Sequence, residues 1–324
     1  MKSQALQPNP IIEFYDLHPP MGDIKSDVIS GLSSTPKALS PKYFYDQKGS
    51  QLFDQICELP EYYVTRTEID LLEQHGEEIA SLIGKDSILM ELGSGSSLKI
   101  RTLLSALKPK AYVAMDISKE HLINAATVLA EDYEWLEVHA VCVDFSLPWQ
   151  LPMHLKGKRT AFFPGSSLGN FTPDAAIKLL NQIGHLVGKG GELIIGIDLK
   201  KDRSTLESAY NDAQGITATF NKNLLVRLNR ELNANFNVEA FHHESIWNRA
   251  ESRVEMHLVS DAEQTVSIDG KEFTLLEGES IHTENSYKYT LDEFTKLASR
   301  ANFDSVKVWQ DVNQLFSIHL LKFR

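Results

Sequence analysis

Residues 86–99 read DSILMELGSGSSLK, and this stretch decides the fold. Ile88, Leu89 and Met90 form an apolar run with no helical period, the pattern of a strand buried on both faces. The run ends in Glu91. Gly93-Ser94-Gly95-Ser96-Ser97 then leads into a helical pattern, KIRTLLSALK, at 99–108. Strand, small-residue loop and helix in this order bring backbone amides and a helix N-terminus up to a ligand. A dinucleotide loop would run G-x-G-x-x-G. Here no third glycine follows in register, and the acid before the loop favours a cationic or polar group over a diphosphate. A nicotinamide oxidoreductase is disfavoured on this spacing.

Outward from this stretch, strand and helix patterns alternate. AYVAMDIS at 111–118 predicts a second strand ending in Asp116, with Ser118 as N-cap of the next helix. Asp116 falls about twenty residues past the glycine loop, where a carboxylate accepts from ribose hydroxyls. VHAVCVDF at 138–145 predicts a third strand ending in Asp144, an acid placed to meet an adenine amino group. A fourth strand precedes residues 164–170, which should face the ligand because the crevice of an open parallel sheet lies beyond its strand C-termini. Thr172 and Pro173 open another helix as N-cap and first helical residue, and GELIIGIDL at 191–199 supplies a fifth strand.

Upstream, residues 1–30 are weakly patterned and read as an arm across the surface. Gly49 and Ser50 are expected to precede a short amphipathic helix carrying Leu52, Phe53, Ile56 and Leu59 and stopped by Pro60. Thr65 is expected to cap a helix over 66–83, with Ile69, Leu71, Leu72, Ile79 and Leu82 on its apolar stripe. Tyr43, Tyr45, Tyr62 and Tyr63 crowd this segment and suit either the rim of a core or the wall of a ligand site.

After residue 199 the alternation stops. A polar helical pattern, NKNLLVRLNRELNANF, is followed by strand-like segments, with Asp269-Gly270 as a hairpin turn. The βα pattern resumes at Thr290, which forms a capping box with Glu293. Two closing strands follow, the last antiparallel because its connection is too short for a crossover. The chain therefore divides into a core of 66–199 plus 289–324 and a cap of 10–65 plus 200–288, with the substrate site in the cleft between them.

Composition narrows the partners. The 324 residues are 42% hydrophobic and 23% charged, with a formal charge of −12, which disfavours a nucleic-acid backbone or an anionic membrane. No apolar run approaches the roughly 20 residues that span a bilayer. The N-terminus lacks the apolar core of a signal peptide. Cys57 and Cys142, the only cysteines, read as free thiols in a reducing cytoplasm. Histidines make no metal case: His242 and His243 are adjacent on a strand and point to opposite faces, and no HExxH occurs.

The segment E-x-G-x-G after the first strand resembles motif I of the class I methyltransferases, which bind S-adenosylmethionine. Beyond it, the chain resembles over nearly its full length the histidine-specific, S-adenosylmethionine-dependent methyltransferases that open ergothioneine biosynthesis. The resemblance rests on KYFYDQKGSQLFDQICELPEYYVTRTE, ELGSGSSLK, FPGSSLGNF, SAYNDAQG, NRAESRVEMHL and IHTENSYKY. It implies a Rossmann-like, mostly parallel sheet with an antiparallel last strand and a smaller α+β substrate-binding domain. Residue by residue it implies that Tyr62, Asn170 and Tyr210 hold the substrate carboxylate, that Tyr45 lies near its amine, and that Glu284 and Ser286 read the imidazole with Met256 flanking the ring. Gly93, Lys99, Asp116 and Asp144 fall to the cofactor site by the same carry-over. Asn285 and Tyr287 depart from the more familiar form of the last motif.

The implied reaction is Nα-trimethylation of L-histidine to hercynine, by a cytoplasmic monomer that uses neither metal nor covalent intermediate. Holding nitrogen and methyl in line supplies most of the acceleration, and Tyr45 is the candidate to relay the amine proton. A site that hydrogen-bonds both ring nitrogens rejects phenylalanine or leucine, which leave its buried polar groups unpaired. The rivals are an N-methyltransferase of another aromatic amino acid such as a tryptophan derivative, whose indole has no second ring nitrogen, and a non-catalytic S-adenosylmethionine-binding module.

Overall fold

In the computed structural model, which describes residues 12–17, 22–85, 87–145, 147–153 and 155–324, the chain opens with β1 (Glu13–Asp16), α1 (Gly22–Ser33) and a short β2 (Lys37–Ala38). Helices α2 (Gln47–Glu58) and α3 (Tyr63–Ile83) lead to an alternating stretch: β3 (Ile88–Leu92), α4 (Leu98–Leu107), β4 (Ala111–Asp116), α5 (Lys119–Asp132), β5 (Glu137–Cys142), β6 (Arg159–Phe163), α6 (Pro173–Val187) and β7 (Glu192–Asp198). The remaining elements are α7 (Arg203–Ala209), α8 (Ile216–Leu232), β8 (Phe241–Asn248), β9 (Arg253–Ser260), β10 (Gln264–Ile268), β11 (Lys271–Leu275), β12 (Ser280–Tyr287), α9 (Leu291–Arg300), β13 (Phe303–Gln310) and β14 (Phe316–Phe323).

Eight strands form one sheet in the order β1-β5-β4-β3-β6-β7-β14-β13, parallel except for β14. Every residue of β3 is buried, because alternate side chains enter two cores: Leu89 joins the helices on one face, Ile88 and Met90 those on the other. The winding reverses between β3 and β6. Their following loops, 93–97 and 164–170, therefore border the crevice where ligands of such sheets bind. This is the class I methyltransferase arrangement.

A second sheet, β2-β12-β9-β8, packs beside the loop after β6. The contact depends on Gly169: a Cβ there would come within 2.8 Å of the Tyr287 carbonyl oxygen, so only glycine lets the loop lie against β12. The inner face of this sheet, with Val254, Met256 and Leu258, shares one apolar cluster with α2, α3 and α8. Asp269 (φ 51°) and Gly270 (φ 78°) make the tight turn between β10 and β11. Thr290 and Glu293 form the capping box of α9, and Thr172 caps α6 ahead of Pro173.

Several local expectations change. Within residues 1–30, β1 is an edge strand of the main sheet and α1 is a helix, so the described part is not a surface arm; residues 1–11 and 18–21 lie outside the described residues. Helix α2 starts at Gln47, because Asp46 accepts from the Gly49 amide at 2.7 Å and caps it; Gly49 and Ser50 lie inside the helix. Gly49 is needed there, as a Cβ would sit 1.7 Å from the Phe44 carbonyl oxygen. Helix α3 begins at Tyr63, which puts Thr65 within it and buried rather than capping, while Leu82 is 43% exposed and Ile83 takes its place in the core. Ser118 holds the N-cap position of α5, but its hydroxyl accepts from Ser50 at 2.9 Å instead of capping. Among the described residues no helix is long and apolar enough to cross a membrane.

Candidate functional site

A cavity of about 320 Å³ opens beyond the C-terminal ends of β3, β4 and β5, where Gly93, Gly95, Asp116 and Asp144 line it. Asp116 accepts from the Gly95 amide at 3.0 Å and the Ser118 amide at 2.9 Å, tying the glycine loop to the end of β4. Lys42 bridges Asp144 at 3.3 Å and Asp27 at 3.0 Å. Ile117, Phe145 and Phe163 add apolar wall, and Asp54 adds a third carboxylate. Three acids around an apolar slot suit a cationic ligand with a flat ring, and they would repel a diphosphate. S-Adenosylmethionine, with its sulfonium, adenine and ribose, fits this donor set.

A smaller cavity of about 50 Å³ adjoins it, lined by Tyr62, Tyr210, Met256, Glu284 and Ser286. Tyr45, Phe53, Ser167 and Asn170 line both cavities. The wall is thus drawn from α2, the start of α3, the loop after β6, the end of α7, and β9 and β12 of the second sheet. Met256 and Glu284 are direct cross-strand partners. Because side chains alternate along a strand, Glu284 and Ser286 point the same way, into the cavity. The Asn170 amide donates to Glu284 Oε1 at 3.2 Å. Tyr62 and Tyr210 meet edge to face at 6.0 Å, as do Tyr45 and Phe53 at 5.8 Å.

Burial pushes the Glu284 carboxyl up to about 7, Lys288 and Asn170 offsetting only part of the effect. Burial likewise drives the Tyr45 and Tyr62 phenols well above their ordinary range, with the charge of Glu284 contributing to both, so each hydroxyl keeps its proton at neutral pH.

Ten of the eleven residues anticipated from sequence line one or both cavities; Lys99 lines neither. Its ammonium pairs with buried Glu68 at 2.7 Å, and the same carboxylate oxygen accepts from the Gly165 amide at 2.8 Å. Glu91 also departs from expectation. It is 1% exposed, takes a hydrogen bond from Tyr112 and lines neither cavity. Of the crowded tyrosines, Tyr43 binds Asp27 and Tyr63 binds Asp198, while Tyr45 and Tyr62 face the cavity.

The expectation that residues 164–170 face the ligand holds for Ser167 and Asn170, which line both cavities, whereas sequence reading missed Lys288 and the cavity role of Phe53. For Lys288 a signal existed, since it continues the alternation of Glu284 and Ser286. A histidine cluster also forms: Glu255, His257 and His282 come within 4.8 Å of one another on the sheet face away from the cavity. The two imidazoles stack at 19°, so their in-plane lone pairs run side by side instead of converging. Cys57 is a free thiol, and the Cys142 thiol donates to the Ile117 carbonyl at 3.5 Å.

The model of the family described as histidine-specific methyltransferase, SAM-dependent, matches residues 24–323. The histidine N-alpha-methyltransferase of Mycobacterium tuberculosis is 40% identical over 304 residues, covering 92% of this chain and 94% of that protein. Ergothioneine biosynthesis protein 1 of Neurospora crassa is 30% identical over 303 residues, 88% of this chain and 33% of that protein. A 4-dimethylallyltryptophan N-methyltransferase of Claviceps purpurea is 27% identical over 330 residues, 92% of this chain and 94% of that protein. With a class I sheet, an acid-rimmed cavity at its switch point and a family match across nearly its whole length, the chain belongs to the histidine-specific, S-adenosylmethionine-dependent methyltransferases.

Proposed function

We propose that the protein methylates the α-amine of L-histidine three times to give hercynine, the first step toward ergothioneine. The observation that carries this is the shared border of the two cavities. Tyr45 and Asn170 line both, so an amine held there lies between the cofactor and the pocket that grips the rest of the substrate. Residues 10–65 and 200–288 are read as the substrate cap over a core of 66–199 and 289–324, except that β1 (Glu13–Asp16) pairs with β5 and belongs to the core sheet. The working unit is read as a monomer.

Tyr62, Asn170 and Tyr210 donate to the α-carboxylate. Glu284 accepts a ring N–H, Ser286 pairs with the other ring nitrogen, and Met256 packs beside the ring. Gly93, Asp116 and Asp144 hold the cofactor, with Asp116 on the ribose and Asp144 toward the adenine. Lys99 lines neither cavity; it pairs with Glu68, whose carboxylate holds the Gly165 amide in the loop after β6. When bound, S-adenosylmethionine supplies an electrophilic methyl on a sulfonium. The residues of this chain orient the amine lone pair toward that methyl and hold the carboxylate and ring still, which is where an in-line displacement gains most. Neutral donors for the carboxylate suit a product whose nitrogen becomes permanently cationic. Tyr45 keeps its proton, so its oxygen accepts from the amine while the displaced proton leaves through water. An indole has one ring N–H and nothing to pair with Ser286, which favours imidazole over a tryptophan derivative.

Incubation with S-adenosylmethionine and L-histidine, followed by mass spectrometry with fragmentation, tests this. Mono-, di- and trimethylhistidine should appear in turn, every methyl on the α-nitrogen. Methyl groups on the ring, or none at all, would refute it.

A further inference from the structure

Lys288 is fully buried, and its ammonium is the point where the two halves of the pocket meet. It donates to Tyr210 Oη at 2.8 Å and to Ser286 Oγ at 2.8 Å, and it pairs with Asp198 Oδ2 at 2.5 Å. Tyr210 Oη and Ser286 Oγ are themselves 2.8 Å apart. An ammonium donates three hydrogen bonds and accepts none. Both hydroxyl oxygens must therefore accept from Lys288, and neither can turn its single proton inward to it. Those protons go to each other or out into the cavity.

We propose that Lys288 is a positioning residue for substrate recognition: it keeps both hydroxyl protons turned away from itself, so that when substrate replaces the Tyr210–Ser286 hydrogen bond, Tyr210 donates to the carboxylate and Ser286 to an unprotonated ring nitrogen. The inference rests on the histidine reading of the pocket. One buried cation then sets the polarity of both ends of the site. It also fixes which form of the ring is accepted: the nitrogen facing Ser286 carries no proton and the other gives its N–H to Glu284. A doubly protonated ring would bring a second positive charge toward Lys288. Asp198 holds the ammonium in place and does not depend on it alone, since Lys201 at 2.5 Å and the Tyr63 hydroxyl at 2.8 Å also bind that carboxylate.

That redundancy makes Lys288→Met a usable test, because Asp198 keeps two partners. The dissociation constants of L-histidine, histamine and S-adenosylhomocysteine are measured by calorimetry in the wild type, Lys288→Met, Tyr210→Phe/Ser286→Ala and the triple variant. Lys288→Met should weaken L-histidine by about tenfold or more and histamine, which has no carboxylate, by less, with S-adenosylhomocysteine within about twofold. In the Tyr210→Phe/Ser286→Ala background the same change should add under about threefold, since the hydroxyls it acts through are gone. If Lys288→Met does not fold, Lys288→Met/Asp198→Asn, which removes both charges together, carries the same comparison. An L-histidine affinity unchanged by the loss of Lys288, or an equal loss in both backgrounds, overturns the inference and leaves the histidine reading intact. A wild type that does not bind L-histidine overturns both.

Discussion

The Asn170 side-chain amide donates to Glu284 Oε1 across 3.2 Å, joining the loop after β6 to strand β12 over 114 residues of sequence. Asn170 lines both cavities and Glu284 the smaller one, so the loop that borders the larger cavity is tied directly to a strand of the smaller. Asn170→Ala removes a donor to the substrate carboxylate and a partner of Glu284 at once. It should raise the KM for L-histidine by roughly 10- to 100-fold, the worth of a hydrogen bond to a charged group. Steady-state kinetics checks this.

In the proposed role Glu284 accepts a ring N–H far more strongly as the carboxylate, and burial pushes its carboxyl up to about 7. Affinity for L-histidine should therefore rise as pH increases through that value. Glu284→Gln has no proton to lose there, so its affinity should be weaker and should keep only the pH dependence of the substrate's own ring. Calorimetry at a series of pH values separates the two.

At the proposed cofactor end, Asp116 accepts from the Gly95 amide and lines the larger cavity. Asp116→Ala should weaken S-adenosylhomocysteine by about 10- to 100-fold. L-Histidine affinity should change far less, since Asp116 is absent from the smaller cavity.

Glu91 makes a prediction about stability alone. Burial raises its carboxyl from about 4.5 to about 8, Tyr112 and Lys99 offsetting only part of the effect. The fold thus favours the protonated form. The stabilisation is complete below the unfolded value and is lost as pH rises through the folded one, a change on the order of a few kcal/mol. Glu91→Gln imitates the protonated form. Its melting temperature should match that of the wild type near pH 4.5 and exceed it above pH 8.

Strand β3 and its loop were legible because a strand buried on both faces leaves an unbroken apolar run, and the four strands after it repeat the signal. β1 was not legible: an edge strand of four half-exposed residues carries little pattern. The start of α2 was misplaced because Gly49 reads as a breaker, whereas it is a close-approach position inside the helix. Glu91 misled for a related reason. Its place before the glycine loop says nothing about which way the side chain turns, and alternation sends it to Tyr112. Within the pocket, Tyr45, Tyr62, Asn170 and Tyr210 carry no mutual spacing that sequence could reveal; family resemblance found them. Lys288 escaped because a lysine near the end of a strand reads as solvent-facing.

The central claim, that one pocket grips a free amino acid by its carboxylate and by both nitrogens of its ring, is tested most directly by competition. The wild-type protein is given S-adenosylmethionine and an equimolar mixture of the twenty amino acids, and products are followed by mass spectrometry. L-Histidine alone should be consumed, ending with three methyl groups on its α-nitrogen. Faster consumption of tryptophan, or methylation spread across several aromatic or aliphatic amino acids, would contradict the claim.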